Sequence, residues 1–462
     1  MLTKELESNT KVIDADLRVN ESFDLIKREI VINNHKSALY CVDGFVKDGL
    51  LMKTIMSMTA ITEDSYFKDA KTFSEHCVPY FEVSIEKEPK LIIQNILCGV
   101  SVLIIDGFDE AILMDMRTYP QRQTSEPDDD KVMRGSKDGF VETMISNVAL
   151  IRRRIRDVNF TVKPFFVSNC SKSDVAVCYM DNKVDKKLLK NIIERIKHVN
   201  TDSLAMNQQS LIEAIYPKKW YNPFPKIKYT ERPDSAAANL LKGNIVILVD
   251  NSPSALILPT SIFDITEEAD DYYFPPITGS YLRVARILIT ISALLITPVW
   301  LLMLQNPQLV PEVFSFTLVT ENTSIPIFWQ LILLEVTIDG LRLAALNTPN
   351  SLSGTLGIIG AIALSEFSVS AGWFNTETIL YMAFVTIASF SQPNYELGYC
   401  IKFLRVMILI LTMLLNIWGF IAGIILTLVL LITNKTVSGK SYLYPLIPFN
   451  GKAFLRKVLR FR

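Results

Sequence analysis

The chain has 462 residues, with 47 Lys and Arg against 48 Asp and Glu, 49% hydrophobic residues and 21% charged residues. These figures exclude a collagen, a low-complexity polymer and a disulfide scaffold. A mean hydropathy of +0.26 is high for a soluble protein, and the charge is unevenly divided: residues 281–462 carry 12 basic and 7 acidic side chains, a net of +5, leaving −6 on residues 1–280.

Residues 1–14 contain no apolar h-region, so no signal peptide is expected. Residues 23–32 and 37–42 alternate like strands and 48–58 follow as a helix; 91–105 reads as a helix running into the apolar strand SVLIID. Residues 118–137 break all periodicity, and their acidic run Asp128–Asp130 reads as a solvated connector rather than a cation site.

A helix is expected over 138–156, where Phe140, Met144, Val148, Ile151 and Ile155 form an apolar stripe. Arg152, Arg153, Arg154 and Arg156 crowd its last turn. Two readings stand side by side: contact with lipid headgroups or a neighbouring subunit, and helix-dipole compensation with salt bridges. Strands at 160–167 and 174–179, a helix at 186–199, and apolar strands at 244–250 and 255–259 complete a β/α alternation, with Asn251-Ser-Pro-Ser254 as the turn between the last two.

From 284 to 304 only one residue in 21 is charged, enough length to cross a hydrocarbon core of about 30 Å. Further apolar runs lie at 325–346, 352–373, 378–390 and 403–433. Arg283 and Arg286 precede the first run, while the loop 305–324 has no Lys or Arg. Arg342, Lys402, Arg405 and a basic C-terminus mark the opposite side, so residues 1–280 and the tail are expected in the cytosol. Cytosolic ends require an even number of crossings. The last run then goes out and back with a turn near Asn416–Gly419; a single long span or an interfacial segment are the alternatives. The expected fold is a multi-domain membrane protein: a two-lobed α/β (α+β) cytosolic region followed by an all-α polytopic transmembrane domain of about 5–6 helices. The boundaries are lobe 1 at 1–118, a linker at 119–137, lobe 2 at 138–280, the transmembrane domain at 281–435 and a basic cytosolic tail at 436–462.

No catalytic constellation is present in the sequence. Gly439-Lys440-Ser441 ends like a phosphate-binding loop, but Asn434 stands where the required glycine belongs. GxGxxG, GxSxG and HExxH are absent, and three histidines offer little acid–base capacity near neutral pH. The six cysteines form no CxxC pair and read as buried, reduced thiols, with no metal and no cofactor expected.

Ionisable residues at membrane depth are the strongest functional lead, because they are costly unless paired or facing water and often mark ion paths. Glu335, Asp339 and Arg342 fall on one helical face, and Glu366 lies in the third run. A local Asp339–Arg342 pair is the structural alternative. Thr386, Ser389 and Ser391 either line the same path or merely pack helices. In the tail, Lys452, Arg456, Lys457, Arg460 and Arg462 alternate with apolar residues, as in a helix lying on an anionic leaflet.

Four blocks carry a resemblance: RGSKDGFVETMISNVALIRRRIRD from Arg134, YNPFPKIKYTERPDSAAANLLKGNIVILVDNSPSALILP from Tyr221, YYFPP from Tyr272, and FSQPNYELG from Phe390. With Gly135, Asp138, Arg152–Arg154, Glu231, Arg232, Pro233, Asp234 and Pro393 among them, the chain resembles the GerA family of bacterial spore germinant-receptor A subunits. Residues 21–48 and 114–123 look most like its stage V sporulation protein AF branch. The resemblance implies a multi-pass protein of the spore inner membrane with no enzymatic activity. It implies a homo-oligomer, with a pentamer as one candidate, that forms an ion channel releasing cations during germination. It also implies a small or transporter-like membrane partner subunit and contact with membrane lipids, but no nucleic acid. The alternative is a cytosolic-lobe scaffold or sensor subunit of a receptor complex without its own pore. A secondary transporter is disfavoured by the lack of matching interrupted helices, although Gly354, Gly357 and Gly360 permit close packing.

Overall fold

The computed structural model describes residues 1–119, 135–204, 206–216, 221–319, 324–348, 357, 360 and 368–460. Its first compact unit comprises residues 1–218 and 229–259, and its second comprises 219–228 and 260–462. The boundary at Pro259 lies ahead of the hydropathy break at 281.

Lobe 1 runs α1 (Leu6–Leu17), β1 (Leu25–Ile32), β2 (His35–Val42), α2 (Asp48–Thr59), α3 (Ala70–Cys77), β3 (Val83–Glu86), α4 (Pro89–Leu97), β4 (Ser101–Ile105) and β5 (Ala111–Met114). Lobe 2 runs α5 (Met144–Arg154), β6 (Phe160–Val167), β7 (Ser173–Met180), α6 (Lys186–Lys197), α7 (Asn207–Ile215), β8 (Lys228–Thr230), α8 (Pro233–Leu241), β9 (Ile245–Val249) and β10 (Ala255–Leu258). Each lobe holds one five-stranded sheet, ordered β1-β2-β4-β5-β3 and β6-β7-β9-β10-β8. The β/α alternation thus resolves into antiparallel ladders, not parallel crossovers. The reason is local. Ile32 pairs with His35 across a two-residue loop, Asn33-Asn34, whose φ values of +44° and +66° suit the tight turn that reverses a twisted strand.

Sheet 1 is covered on both faces, which explains its unbroken apolar runs. Tyr40, Val102, Ile104 and Leu113 face the core shared with α1 and α4, while Leu39, Leu103, Ile105 and Ile112 face the core shared with α3. In lobe 2, Ala176, Cys178, Val246 and Leu248 pack with α5 and α8. Edge strands are protected: β1 carries Lys27, Arg28 and Glu29, and β6 carries Pro164.

The common strand order reflects a duplication. Asn9 pairs reciprocally with the Thr3 backbone, and Asn147 does the same with Val141. Asp106 accepts the Leu6 N–H at 3.0 Å, and Asp250 accepts the Met144 N–H at 3.0 Å. Pro89 and Pro233 open α4 and α8, and Gly99 and Gly243, with φ of +96° and +94°, follow those helices. The expected helix over 138–156 begins only at Met144. The Asn147 side chain holds Val141, and the Phe140 N–H bonds to the Glu231 carbonyl, drawing this segment out of helical geometry.

Cys41, Cys77, Cys178 and Cys400 are buried, Cys98 is partly exposed and Cys170 is exposed, so the buried-thiol reading fails at Cys170. Burial, with the Asp43 and Asp48 charges, pushes the Cys41 thiol up to about 11.

The second unit contains α9 (Ile262–Ile265), α10 (Asp270–Tyr273), α11 (Pro276–Gln305), α12 (Ile327–Asn347), α13 (Thr376–Phe390), α14 (Tyr395–Thr433) and α15 (Gly451–Val458). Two of these, α11 and α14, are long and apolar enough to cross a membrane. Their outer faces leave Leu288, Leu415 and Trp418 59%, 57% and 77% exposed, as in surfaces made for lipid. At 21 residues α12 spans about 31 Å; α13, with 15, spans about 22 Å.

A helical hairpin accounts for the length of α14. Its backbone leaves helical geometry at Asn416 (φ 52°, ψ −131°). A Cβ at Gly423 would lie 3.2 Å from the Ile408 Cα, and one at Gly419 would strike the Leu411 carbonyl. Residues 408 and 423 would be about 22 Å apart in a straight helix. The two arms therefore pack face to face, and the absent side chains at 419 and 423 permit it. Asn306, at the end of α11, pairs with Asn416 and anchors the tip.

Candidate functional site

Four helices of the second unit converge on a buried charge network. Glu335 of α12 is 5% exposed and Arg405 of α14 is 3% exposed. Arg405 Nε donates to Glu335 Oε1 at 2.9 Å, its Nη2 reaches the same oxygen, and its Nη1 donates to the Ala293 carbonyl of α11 at 3.0 Å. Lys402, one turn earlier, pairs with Glu335 Oε2 at 3.3 Å and with Asp339. The spacings explain the fit: Glu335 and Asp339 are four apart, Lys402 and Arg405 three apart, so each pair shares a helix face. A cavity of about 30 Å³ adjoins them, lined also by Thr386, Ser389 and Tyr399. That is room for two or three waters.

Glu335 and Asp339 are therefore brought together as the sequence suggests. The local Asp339–Arg342 pair is not formed, because Asp339 turns to Lys402 and the Arg342 guanidinium lies over the rings of Phe390 (4.6 Å) and Tyr399 (5.4 Å). Glu366 lies outside the described residues. Lys402 and Arg405, which read in the sequence only as markers of the cytosolic surface, complete the network. Their three-residue spacing, complementary to Glu335 and Asp339, was the available signal. Ser389, Ser391 and Thr386 bond to carbonyls of their own helix. Gln392 reaches Thr290 of α11 at 2.9 Å, and Pro393 precedes Asn394, whose side chain caps α14.

Two arginines of the cluster, Arg152 and Arg154, are held by carboxylates. Arg152 is fully buried and grips Asp24 of lobe 1 at 2.7 and 3.0 Å, with Ser22 and the Phe160 carbonyl beside it. Arg153 lies over Tyr119 at 4.8 Å, and Arg154 meets Asp138 at 3.0 Å. Arg152 and Arg154 thus make the salt bridges of one reading, while Arg153 and Arg156 remain exposed. Arg232, also fully buried, grips Asp234 and donates to the Ser136 carbonyl at 2.7 Å, while Glu231 receives Phe140 and Pro233 starts α8. Gly135, with φ of +111°, lies beside that junction; Arg134 lies outside the described residues.

At the start of α11, Arg283 and Arg286 are buried against Glu267, Glu268 and Asp271. The basic tail folds onto this neck. Lys457 pairs with Asp264, and Arg460 reaches the Phe274 carbonyl and Ser280. Only Lys452 and Arg456 of the basic set remain exposed, and Arg462 lies outside the described residues. Burial works against charge on Asp264, yet Lys457 and Ser261 outweigh it and hold the carboxyl below the usual carboxylate range. Among the described residues no His, Cys, Asp and Glu cluster fits a metal ion.

Comparison with known proteins places these features. The model of the Bacillus/Clostridium GerA spore germination protein family matches residues 14–462. Stage V sporulation protein AF of Bacillus subtilis is 34% identical over 95% of this chain and 89% of its own length. The Bacillus subtilis membrane protein YfkQ is 27% identical over 97% of this chain and 90% of its own. A crystal structure of the N-terminal domain of the A subunit of the Bacillus megaterium spore germinant receptor GerK3 aligns at 25% identity and TM-score 0.42, covering 55% of this chain and 95% of that one. Matched along nearly its whole length, this membrane protein belongs to the GerA family of spore germination proteins, a non-enzymatic receptor family.

Proposed function

We propose that the chain is the membrane subunit of a homo-oligomeric channel that releases cations across the spore inner membrane during germination. One observation carries this: buried Glu335 and Arg405, with Lys402 and the partly exposed Asp339, are closed upon one another among apolar helices, beside a cavity with room for two or three waters. Burying charges is expensive even when they are paired, and apolar residues of similar size often serve stability equally well. Their presence at membrane depth therefore points to ion handling. In the described conformation Arg405 and Lys402 neutralise Glu335 and Asp339, a resting state; separating the pairs turns the carboxylates toward a hydrated path.

Support for a multi-pass topology comes from the hairpin of α14, which returns the chain to the side where α11 begins, and from the tail docked on that beginning. Both ends of the membrane region then face the cytosol. Glu366 remains a candidate for the same path. A pentamer is the stoichiometry proposed for the oligomer, and a small or transporter-like membrane protein is its proposed partner. Glu335→Ala in spores is expected to change the rate of cation release while the protein still assembles; unchanged release with normal assembly counts against the proposal.

A sensor role for the lobes is the second reading. It is favoured by a cleft of about 320 Å³ between them, lined by Glu21, Ser22, Phe23, Lys163 and Phe165.

A further inference from the structure

Beside the charge network lies an apolar groove of about 430 Å³, lined by α12, α13 and Gly357. Leu334, Ile338, Leu341 and Met382 form its floor, and Ile387 and Phe390 stand at its rim, 70% and 60% exposed. This volume lies within the range of pockets that hold small molecules. Ile338 and Thr386 line both this groove and the polar cavity, so the two are continuous.

The groove ends against a cation. Phe390 walls it and also carries the Arg342 guanidinium on its ring face, with Tyr399 beside it. Stacking occupies the π face of a guanidinium and leaves its N–H donors pointing outward in the plane, a fork matched to phosphate oxygens. Among the described residues no carboxylate pairs with Arg342, in contrast to Lys402 and Arg405. Arg342 also lies five residues, about 7.5 Å, from the end of α12 at Asn347, a depth suited to a lipid headgroup rather than to the bilayer centre.

We propose that this groove is a binding site for one anionic phospholipid, with an acyl chain lying between α12 and α13 and the phosphate held by Arg342. Charge complementarity selects the occupant: Glu335 and Asp339 are taken by Lys402 and Arg405, so among the described residues Arg342 is the cation of this cluster left without an ion pair, and an apolar trough beside it fits a molecule apolar along its length and anionic at its head. The site adjoins the proposed ion path, since Arg342 lines the polar cavity beside Glu335 and Asp339, but lipid binding does not depend on conduction and can exist in a protein that conducts nothing.

The full-length chain, purified in mild detergent and equilibrated with equal phosphatidylglycerol and phosphatidylcholine, tests this by quantifying retained lipid. About five-fold enrichment of phosphatidylglycerol is expected, the order that one interfacial cation contributes. Arg342→Gln should abolish the enrichment, and Ala383→Trp, which fills the groove from its outer wall, should release lipid while Arg342 stays intact. Inorganic phosphate alone should not displace the lipid. Equal enrichment in wild type and Arg342→Gln, full retention by Ala383→Trp, or displacement by inorganic phosphate would each overturn the proposal. If Arg342→Gln aggregates, the Ala383→Trp measurement decides alone.

Discussion

Arg152 and Arg405 show the same chemistry in two solvents. Each is an almost fully buried guanidinium gripping one carboxylate, Asp24 in the α/β unit and Glu335 in the helical unit. Removing one partner leaves a charge with no water, typically costing about 3–5 kcal/mol, whereas replacing both by apolar groups costs far less. Arg152→Ala should therefore destabilise the N-terminal lobes by about 3–5 kcal/mol in chemical denaturation followed by tryptophan-independent circular dichroism, and the double Arg152→Met, Asp24→Leu variant should recover most of it. Equal losses in the single and double variants would show that the pair does not join the lobes. The sequence displayed the Arg152–Arg154 run plainly but not its partners, since Asp24 lies 128 positions away. Likewise Glu335 and Asp339 stood out against an apolar background, while Lys402 and Arg405 resembled ordinary interface cations.

Among elements, the hairpin of α14 and the docked tail make separable predictions. Ile408→Cys with Gly423→Cys should form an intrachain disulfide, because the backbones at these positions touch and bridged Cα atoms lie about 4.4–6.8 Å apart. Absence of that crosslinked peptide by mass spectrometry under oxidation would mean one straight span. For the tail, the relevant group is Asp264, whose carboxyl is held below its usual value in the folded state. A depressed carboxylate contributes stability above its unfolded pKa of about 3.9, and this is lost as pH falls through the lower folded value. Tail docking should thus be constant from pH 5 to 8 and weaken only below about pH 4. Lys457→Ala should mimic that release at neutral pH, seen as faster tryptic cleavage after Arg456; identical cleavage rates would contradict docking through this pair. Hydropathy made the spans legible, and Asn416 was visible as a turn candidate. The antiparallel sheets were not, because strand pairing is a long-range choice that alternating β and α segments do not determine.

At the scale of the whole molecule, a twice-used lobe precedes a charged helical bundle. The duplication escaped sequence inspection because its anchors are few and unevenly spaced. Asn9 and Asn147 stand 138 positions apart, but Asp106 and Asp250 stand 144 apart. Insertions between anchors scramble any fixed period, whereas the hydrogen bonds that the anchors make are preserved. The split of charge, −6 before residue 281 and +5 after it, also takes on structure: much of the positive excess is held against carboxylates of the same unit. The ion-path proposal is tested most directly by potassium efflux from liposomes containing the full-length chain and its Arg405→Gln and Glu335→Gln variants. Arg405→Gln leaves Glu335 held by Lys402 alone and should raise cation efflux, about ten-fold if the loosened carboxylate contributes some 1.4 kcal/mol to the ion's passage; Glu335→Gln leaves Arg405 without a carboxylate and should lower it. Efflux unchanged in both variants, or altered in the same direction by both, would contradict an ion path through this network.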